Sequence, residues 1–180
     1  PLWSRGLGDV YKRQVMHCSS FSKTLAPGYR VGWVAAGRYT RKIMRNKLTT
    51  SLATAAPTQA AIAAYLEKGG FDRHLRQFRQ ALALQQGELL QAVARYFPKG
   101  TRATRPSGGY FVWVELPAQI DTLKVHRAAL DHGISIAPGP LFSSSGAFGN
   151  FLRLNHGHPW SVDLEQGMAT LGKLLSLIHI

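Results

Sequence analysis

The segment SSFSKTLAPGYRVGW, residues 19–33, sets a lysine between two hydroxyl residues, with a Pro-Gly reversal and an arginine close behind it. Ser22-Lys23-Thr24 could be the tail of a phosphate-binding P-loop. That loop needs glycines at positions 17 and 22 for close backbone approach to phosphate, and His17 and Ser22 stand there instead. The P-loop reading is therefore rejected. Pro27 and Gly28 fit the two central positions of a type II turn, which would fold the chain back and bring Arg30 toward the lysine. Ser20, Ser22 and Arg30 would then offer hydroxyl groups and a guanidinium fork to a phosphate.

Outward from this loop the chain alternates between strand and helix patterns. Residues 15–20 and 30–36 are β-compatible runs on either side of the lysine. Pro57 and Thr58 open an alanine-rich helix to about Lys68, closed by Gly69-Gly70. Phe71, Leu75, Phe78, Leu82, Leu89, Val93 and Phe97 keep helical spacing over a long segment, which predicts a connecting helix over 71–97. After Pro98 and Gly100 the elements shorten to a strand at 110–116, a helix at 122–132, strands at 134–137 and 151–155, and a helix at 162–175. The expectation is an α/β architecture: the end of a large domain over 15–70, the connecting helix, and a small α/β domain over 98–175.

The chain has 180 residues, 45% of them hydrophobic, enough for a packed core. A single cysteine, Cys18, excludes a disulfide framework, fits a reducing compartment and reads as a small buried residue. No uninterrupted apolar run reaches the ~18 residues of a membrane span, so a soluble cytoplasmic protein is expected. The formal charge of +13 invites a nucleic-acid reading. Its carriers, Arg38, Arg41, Lys42, Arg45 and Lys47 in one segment and Arg73, Arg76 and Arg79 in another, keep helical spacing and read as solvated helix faces. Both ends, 1–14 and 176–180, follow no period set by the rest and resemble translated adapter sequence. On that reading they are foreign, and the chain is a fragment of a longer protein.

A reactive amine beside a phosphate cradle is what pyridoxal 5'-phosphate requires. S-F-S-K-T-L-A-P-G-x-R-x-G-W resembles the Schiff-base lysine motif of the fold type I pyridoxal-phosphate enzymes, the class I/II aminotransferase superfamily. Residues 106–117 (PSGGYFVWVELP), 133–142 (GISIAPGPLF) and 152–160 (LRLNHGHPW) resemble the small-domain motifs, in the family's order. The resemblance implies that Lys23 holds the cofactor and shuttles the proton, and that Ser20, Ser22 and Arg30 contact its phosphate. It implies that Arg153 grips a substrate α-carboxylate. The residues agree: Arg153 alternates with Leu152 and Leu154, and a guanidinium in such a strand wants an anionic partner. The alternative is a structural ion pair with one of the few acids. Gly108-Gly109 would let the backbone pass near a ligand or form a plain bulge. His156 and His158 read as residues that orient the chain before Pro159. Lys23 would need surroundings that favour its neutral amine, as burial and Arg30 would.

The family also sets an aspartate against the pyridine nitrogen, and upstream of Lys23 there is only Asp9, inside the segment read as foreign. K-T-L-A-P-G-Y-R-V-G-W-V with L-N-x-G-H-P-W is most similar to the MocR-type branch of GntR regulators. In these a winged helix-turn-helix domain precedes an aminotransferase-like effector domain. That resemblance implies an amino acid or 2-oxo acid ligand, a homodimer, and DNA contact only through an N-terminal domain outside this chain. A freestanding aminotransferase of the aminoadipate or aromatic type is the second reading.

Overall fold

A computed structural model describes residues 15–177, which form two compact units meeting inside one long helix, between Leu75 and Arg76. In the first unit, β1 (His17–Ser20) and β2 (Gly32–Ala35) pair antiparallel, with Ser20 opposite Gly32 and His17 opposite Ala35. A side chain at Gly32 would come within 2.9 Å of the Ser19 carbonyl, so the hairpin needs glycine there. Cys18 lies on this uncovered ribbon and is exposed rather than buried as expected.

Helix α1 (Thr40–Thr50) carries Arg41, Lys42, Arg45 and Lys47 on its surface, and its apolar Met44 and Leu48 are exposed as well. Helix α2 (Ala56–Glu67) starts with Pro57 in the first turn, where its missing N–H costs nothing, and buries Ile62. It stops at Gly69, whose φ of +71° suits glycine, and Gly70 opens the next helix at once.

That helix, α3 (Gly70–Tyr96), is continuous. The unit boundary falls within it, where the sequence reading placed divisions at its two ends. The cause is a change of duty along the helix. Phe71 and His74 serve the first unit, whereas Leu89, Ala92 and Val93 are buried in the core of the second.

The second unit is a four-stranded antiparallel sheet ordered β3 (Arg102–Ala103), β4 (Phe111–Glu115), β6 (Phe151–Asn155), β5 (Ala137–Pro138). Period-two alternation sorts its side chains. Val112, Val114, Leu152 and Leu154 face a core built with Leu89 and Val93 of α3, Val125 and Ala129 of α4 (Thr122–Leu130), and Met168, Leu171 and Leu175 of α5 (Val162–Leu177). Truncating one such leucine to alanine typically costs about 2–5 kcal/mol. Asp121 caps α4 by accepting the N–H groups of Leu123 at 2.9 Å and Lys124 at 3.3 Å.

The strand expected at 134–137 is shorter and later, pairing at Ala137–Pro138 only. Gly133, at φ +71°, and Ile134 donate their N–H groups to Leu130 and Ala129, so this stretch finishes α4 instead of joining the sheet. The two-residue β3 was not foreseen; Arg102 and Glu115 sit opposite each other across it and form a bidentate ion pair at 2.9 and 2.7 Å. Helix α5 continues through Ser176 and Leu177, two residues that the sequence reading set aside as foreign. The remainder of that expectation, 1–14 and 178–180, lies outside the described residues.

Glu165 fastens α5 to the end of α3. It accepts hydrogen bonds from Arg95 Nη1 at 3.0 Å, Trp160 Nε1 at 3.0 Å and the Tyr96 hydroxyl. The Tyr96 hydroxyl, then Trp160 and Arg95, hold its carboxyl below the usual carboxylate range. At the same crossing Gly172 lies against the Tyr96 carbonyl, 2.3 Å from where a Cβ would stand.

Two glycines of α5 should therefore respond with opposite signs in urea unfolding. Gly167 faces open space, so Gly167→Ala gains about 0.5–1 kcal/mol from helix propensity. Gly172→Ala forces backbone apart and loses about 1–3 kcal/mol. Equal responses would contradict the close crossing of α3 and α5.

Candidate functional site

The connection between β1 and β2 is a tight loop closed by the Phe21 N–H to the Val31 carbonyl at 3.0 Å. Within it, Leu25 and Ala26 both donate to the Phe21 carbonyl, at 2.8 and 3.1 Å, winding residues 21–25 into one turn that carries Lys23. The expected type II turn at Pro27-Gly28 is a 3-10 turn, Pro27–Tyr29, ending on Arg30 in the left-handed region at φ +52°. Gly28 is not at positive φ, which a type II turn demands of it; Arg30, two positions later, takes that conformation instead.

The outcome for the phosphate-contacting set is nonetheless the expected proximity. Arg30 Nη1 donates to Ser22 Oγ at 3.2 Å and approaches the Pro27 carbonyl at 3.4 Å. Ser20 Oγ donates to Ser22 Oγ at 3.0 Å and accepts the Ser22 N–H at 3.1 Å, with the Val31 carbonyl at 3.3 Å as a second acceptor in reach. Ser22 Oγ thus accepts twice, which fills its lone pairs and leaves its own O–H to donate. A hydroxyl donor beside a guanidinium, on a loop with no carboxylate, is a donor set that fits a phosphate. Lys23 is exposed, not buried as expected.

The sequence reading missed what braces this loop. His74 Nε2 meets the Thr24 carbonyl at 2.9 Å, and the Phe21 ring stands edge-on to Phe71 at 6.2 Å. The first turns of α3 therefore hold both sides of Lys23. Nothing in the sequence near Thr24 marks a histidine fifty positions away as its partner.

Arg153 belongs to the second unit. It lies in the middle of β6, paired with Trp113 on one side and Ala137 on the other, on the sheet face opposite the helices. Its guanidinium sits between two aromatic rings, 4.1 Å from the centroid of Phe111 and 4.2 Å from that of Phe142. Trp113 packs against Phe142, Phe148 and Phe151 at 5.5, 5.7 and 5.6 Å, completing an aromatic face. Phe142 and Phe148 come from the loop 139–150, whose neck is closed by Gly139: a Cβ there would stand 2.2 Å from the Phe148 carbonyl.

Among the described residues no carboxylate pairs with Arg153, so the alternative of a structural ion pair has no support. Its Nε is buried without a hydrogen-bond partner. An orphaned charged donor in an aromatic sandwich is costly unless an acceptor arrives, and a carboxylate meets that need.

His156 follows β6, is 4% exposed, and is fixed by its N–H to the Tyr110 carbonyl at 2.8 Å. His158 is exposed.

With this geometry in view, comparison with known proteins settles the family. The family model "Aminotransferase class I and II" matches residues 4–165, which takes in most of the N-terminal stretch set aside above. This chain belongs to the class I and II aminotransferase family. An HTH-type transcriptional regulator of Escherichia coli, YdcR, is 45% identical over 89% of this chain and 34% of its own length. Aromatic-amino-acid aminotransferase 1 of Thermococcus litoralis is 31% identical over 90% of this chain and 39% of its own. The crystal structure of LysN, the α-aminoadipate aminotransferase of Thermus thermophilus, complexed with N-(5'-phosphopyridoxyl)-L-leucine, superposes with a TM-score of 0.84 at 31% identity. That match covers 98% of this chain and 45% of LysN. The chain thus spans a third to two fifths of the curated relatives' length, and the fold type I assignment stands.

Burial pushes the His156 imidazole below its ordinary value of 6.5. Its folded pKa is therefore lower than its unfolded one, so between the two values only the unfolded chain takes up the proton. Folding stability should be unaffected by this group above about pH 6.5, decline as pH falls through that value, and level off below the folded pKa. His156→Asn should flatten that part of a stability-against-pH curve measured by urea midpoints. An unchanged slope in the variant would show that the ring is not the titrating group.

Proposed function

We propose that this chain is the lysine-bearing part of a pyridoxal 5'-phosphate-binding, aminotransferase-like effector domain of a MocR-type GntR transcriptional regulator. The observation that carries the cofactor reading is the Arg30 guanidinium bonded to Ser22 on the loop that presents Lys23. In this reading Ser22 O–H and Arg30 donate to the phosphate, and Ser20 holds Ser22 in place. Lys23 Nζ is the amine that bonds the cofactor and moves the proton at the ligand's α-carbon. When bound, the cofactor supplies an electron sink through its pyridine ring. Arg153 grips the α-carboxylate of an amino acid or 2-oxo acid, and its two flanking rings hold the planar guanidinium between them and shield it from water. The complete protein is a cytoplasmic homodimer that reaches DNA through an N-terminal winged-helix domain. Among the described residues no helix is long and apolar enough to cross a membrane. The residues 15–75 and 76–177 then represent the end of the large domain with the start of the connecting helix, and the rest of that helix with the small domain.

The regulator reading rests on the 45% identity to YdcR and the 39% identity to YjiR, another HTH-type transcriptional regulator of Escherichia coli. A freestanding aminotransferase is the second reading, favoured by the likeness to LysN and to the Thermococcus enzyme.

Borohydride reduction of the full-length protein with pyridoxal 5'-phosphate, followed by peptide mapping, should place the label on Lys23. Lys23→Ala should lose the visible absorption band of the bound cofactor. Label on another lysine would overturn the assignment. Arg153→Ala should weaken amino-acid binding by about 2–4 kcal/mol, the loss of a desolvated charge-assisted pair. In a regulator that variant should also abolish ligand-dependent operator binding while leaving basal DNA affinity intact. Rapid transamination without operator binding, with the loss falling on kcat/KM, would establish the enzyme instead.

A further inference from the structure

The second unit holds a small cavity of about 140 Å³ between α3, the loop before β4 and the end of β6, lined by neither Arg153 nor any residue of the lysine loop. His156 lines it, is almost wholly buried, and has both ring nitrogens without a hydrogen-bond partner. The carbonyls of Leu82 and of His156 itself lie nearby, but neither reaches hydrogen-bonding geometry. A buried imidazole left in this state forfeits two hydrogen bonds, and buried side chains of this kind are normally satisfied.

The rest of the lining shows what would satisfy it. Arg79 of α3 is part of that lining, and its guanidinium has no ion-pair partner among the described residues. Ser107, Gly108 and Gly109 bring a hydroxyl and backbone amides that form no hydrogen bond within the described residues. Gln86 is spent on the Pro106 carbonyl at 3.0 Å, which fixes the loop that carries them. No aspartate or glutamate lines the space. The volume is roughly ten times the ~10–15 Å³ that one water needs on the same measure, which leaves room for a small organic anion.

We propose that this cavity is a second binding site, for a small carboxylate anion held by Arg79, His156 and Ser107. Arg79 supplies the charge, Ser107 a rotatable donor and His156 the buried donor. The entering carboxylate finds a cation already present and no opposing acid. It also draws a proton from solvent onto the imidazole, whose two N–H groups then both have a use. Arg79 is the charged residue that α3 adds to the lining, and the loop 106–109 and the end of β6 add no titratable group besides His156.

The test is calorimetric titration of sodium acetate, against sodium chloride, into the full-length protein carrying Arg153→Ala, so that the α-carboxylate position does not contribute. Measurements near neutral pH in two buffers of different ionisation enthalpy read proton uptake. One acetate should bind with uptake of a fraction of a proton, and adding Arg79→Gln should weaken it roughly tenfold. Arg79 is exposed on a helix surface, so this variant should fold as the parent does. Adding His156→Asn should remove the proton uptake. Absence of acetate binding, or binding that Arg79→Gln leaves unchanged, overturns the proposal; the cavity is then a water site. Lys23→Ala should leave acetate binding intact, so failure of the cofactor reading and failure of this one are separable.

Discussion

The antiparallel register of β4 on β6 is the constraint from which the second unit is built. Pairing Val112 with Leu154 and Val114 with Leu152 sends all four to the helices, and the same register sends Trp113 and Arg153 to the other side. A one-residue slip of β6 would turn its side chains over, putting a guanidinium into an aliphatic core and taking Leu152 and Leu154 out of it. The cost of that exchange specifies the register strongly. The position of Arg153 is therefore a by-product of core packing, and its accuracy is that of the core.

In the first unit a local constraint plays the corresponding part. The lysine loop has little apolar material to bury, and its shape comes from backbone hydrogen bonds to Phe21 and from the left-handed Arg30. A non-glycine residue in that region carries strain of about 1–2 kcal/mol, which neighbouring interactions must offset. Here the bonds from Arg30 to Ser22 and toward Pro27 contribute to that offset. The side chain and the backbone conformation of Arg30 are thus coupled.

Much of this was legible from the amino acids because it is periodic or local. The alternation in FLRLN placed Arg153 on a face of its own, and helical spacing from Phe71 to Phe97 marked α3 almost to the residue. The lysine loop was recognisable because its hydroxyls, proline, glycine and arginine lie within eleven positions. What escaped was non-periodic or distant. The type II reading of Pro27-Gly28 failed because turn type depends on φ, and the dipeptide also suits the first turn of a 3-10 helix. The two-residue β3 is too short to show any period. The rings around Arg153 come partly from Phe142, the brace on Thr24 from His74, and the empty hydrogen-bonding capacity of His156 from the way α3 crosses it; these are tertiary facts.

The closed neck at Gly139 carries a consequence for how such a protein changes over generations. With the loop fastened where it leaves and rejoins the sheet, its outer part, from Leu141 to Ala147, can lengthen or change composition at little entropic cost. Such edits would alter the ring that covers Arg153 from above while leaving the strands and their core untouched. Arg153 is inherited with the scaffold, and the loop that covers it is free to diverge. A lineage can in this way retune which molecules reach a fixed arginine without passing through an unfolded ancestor.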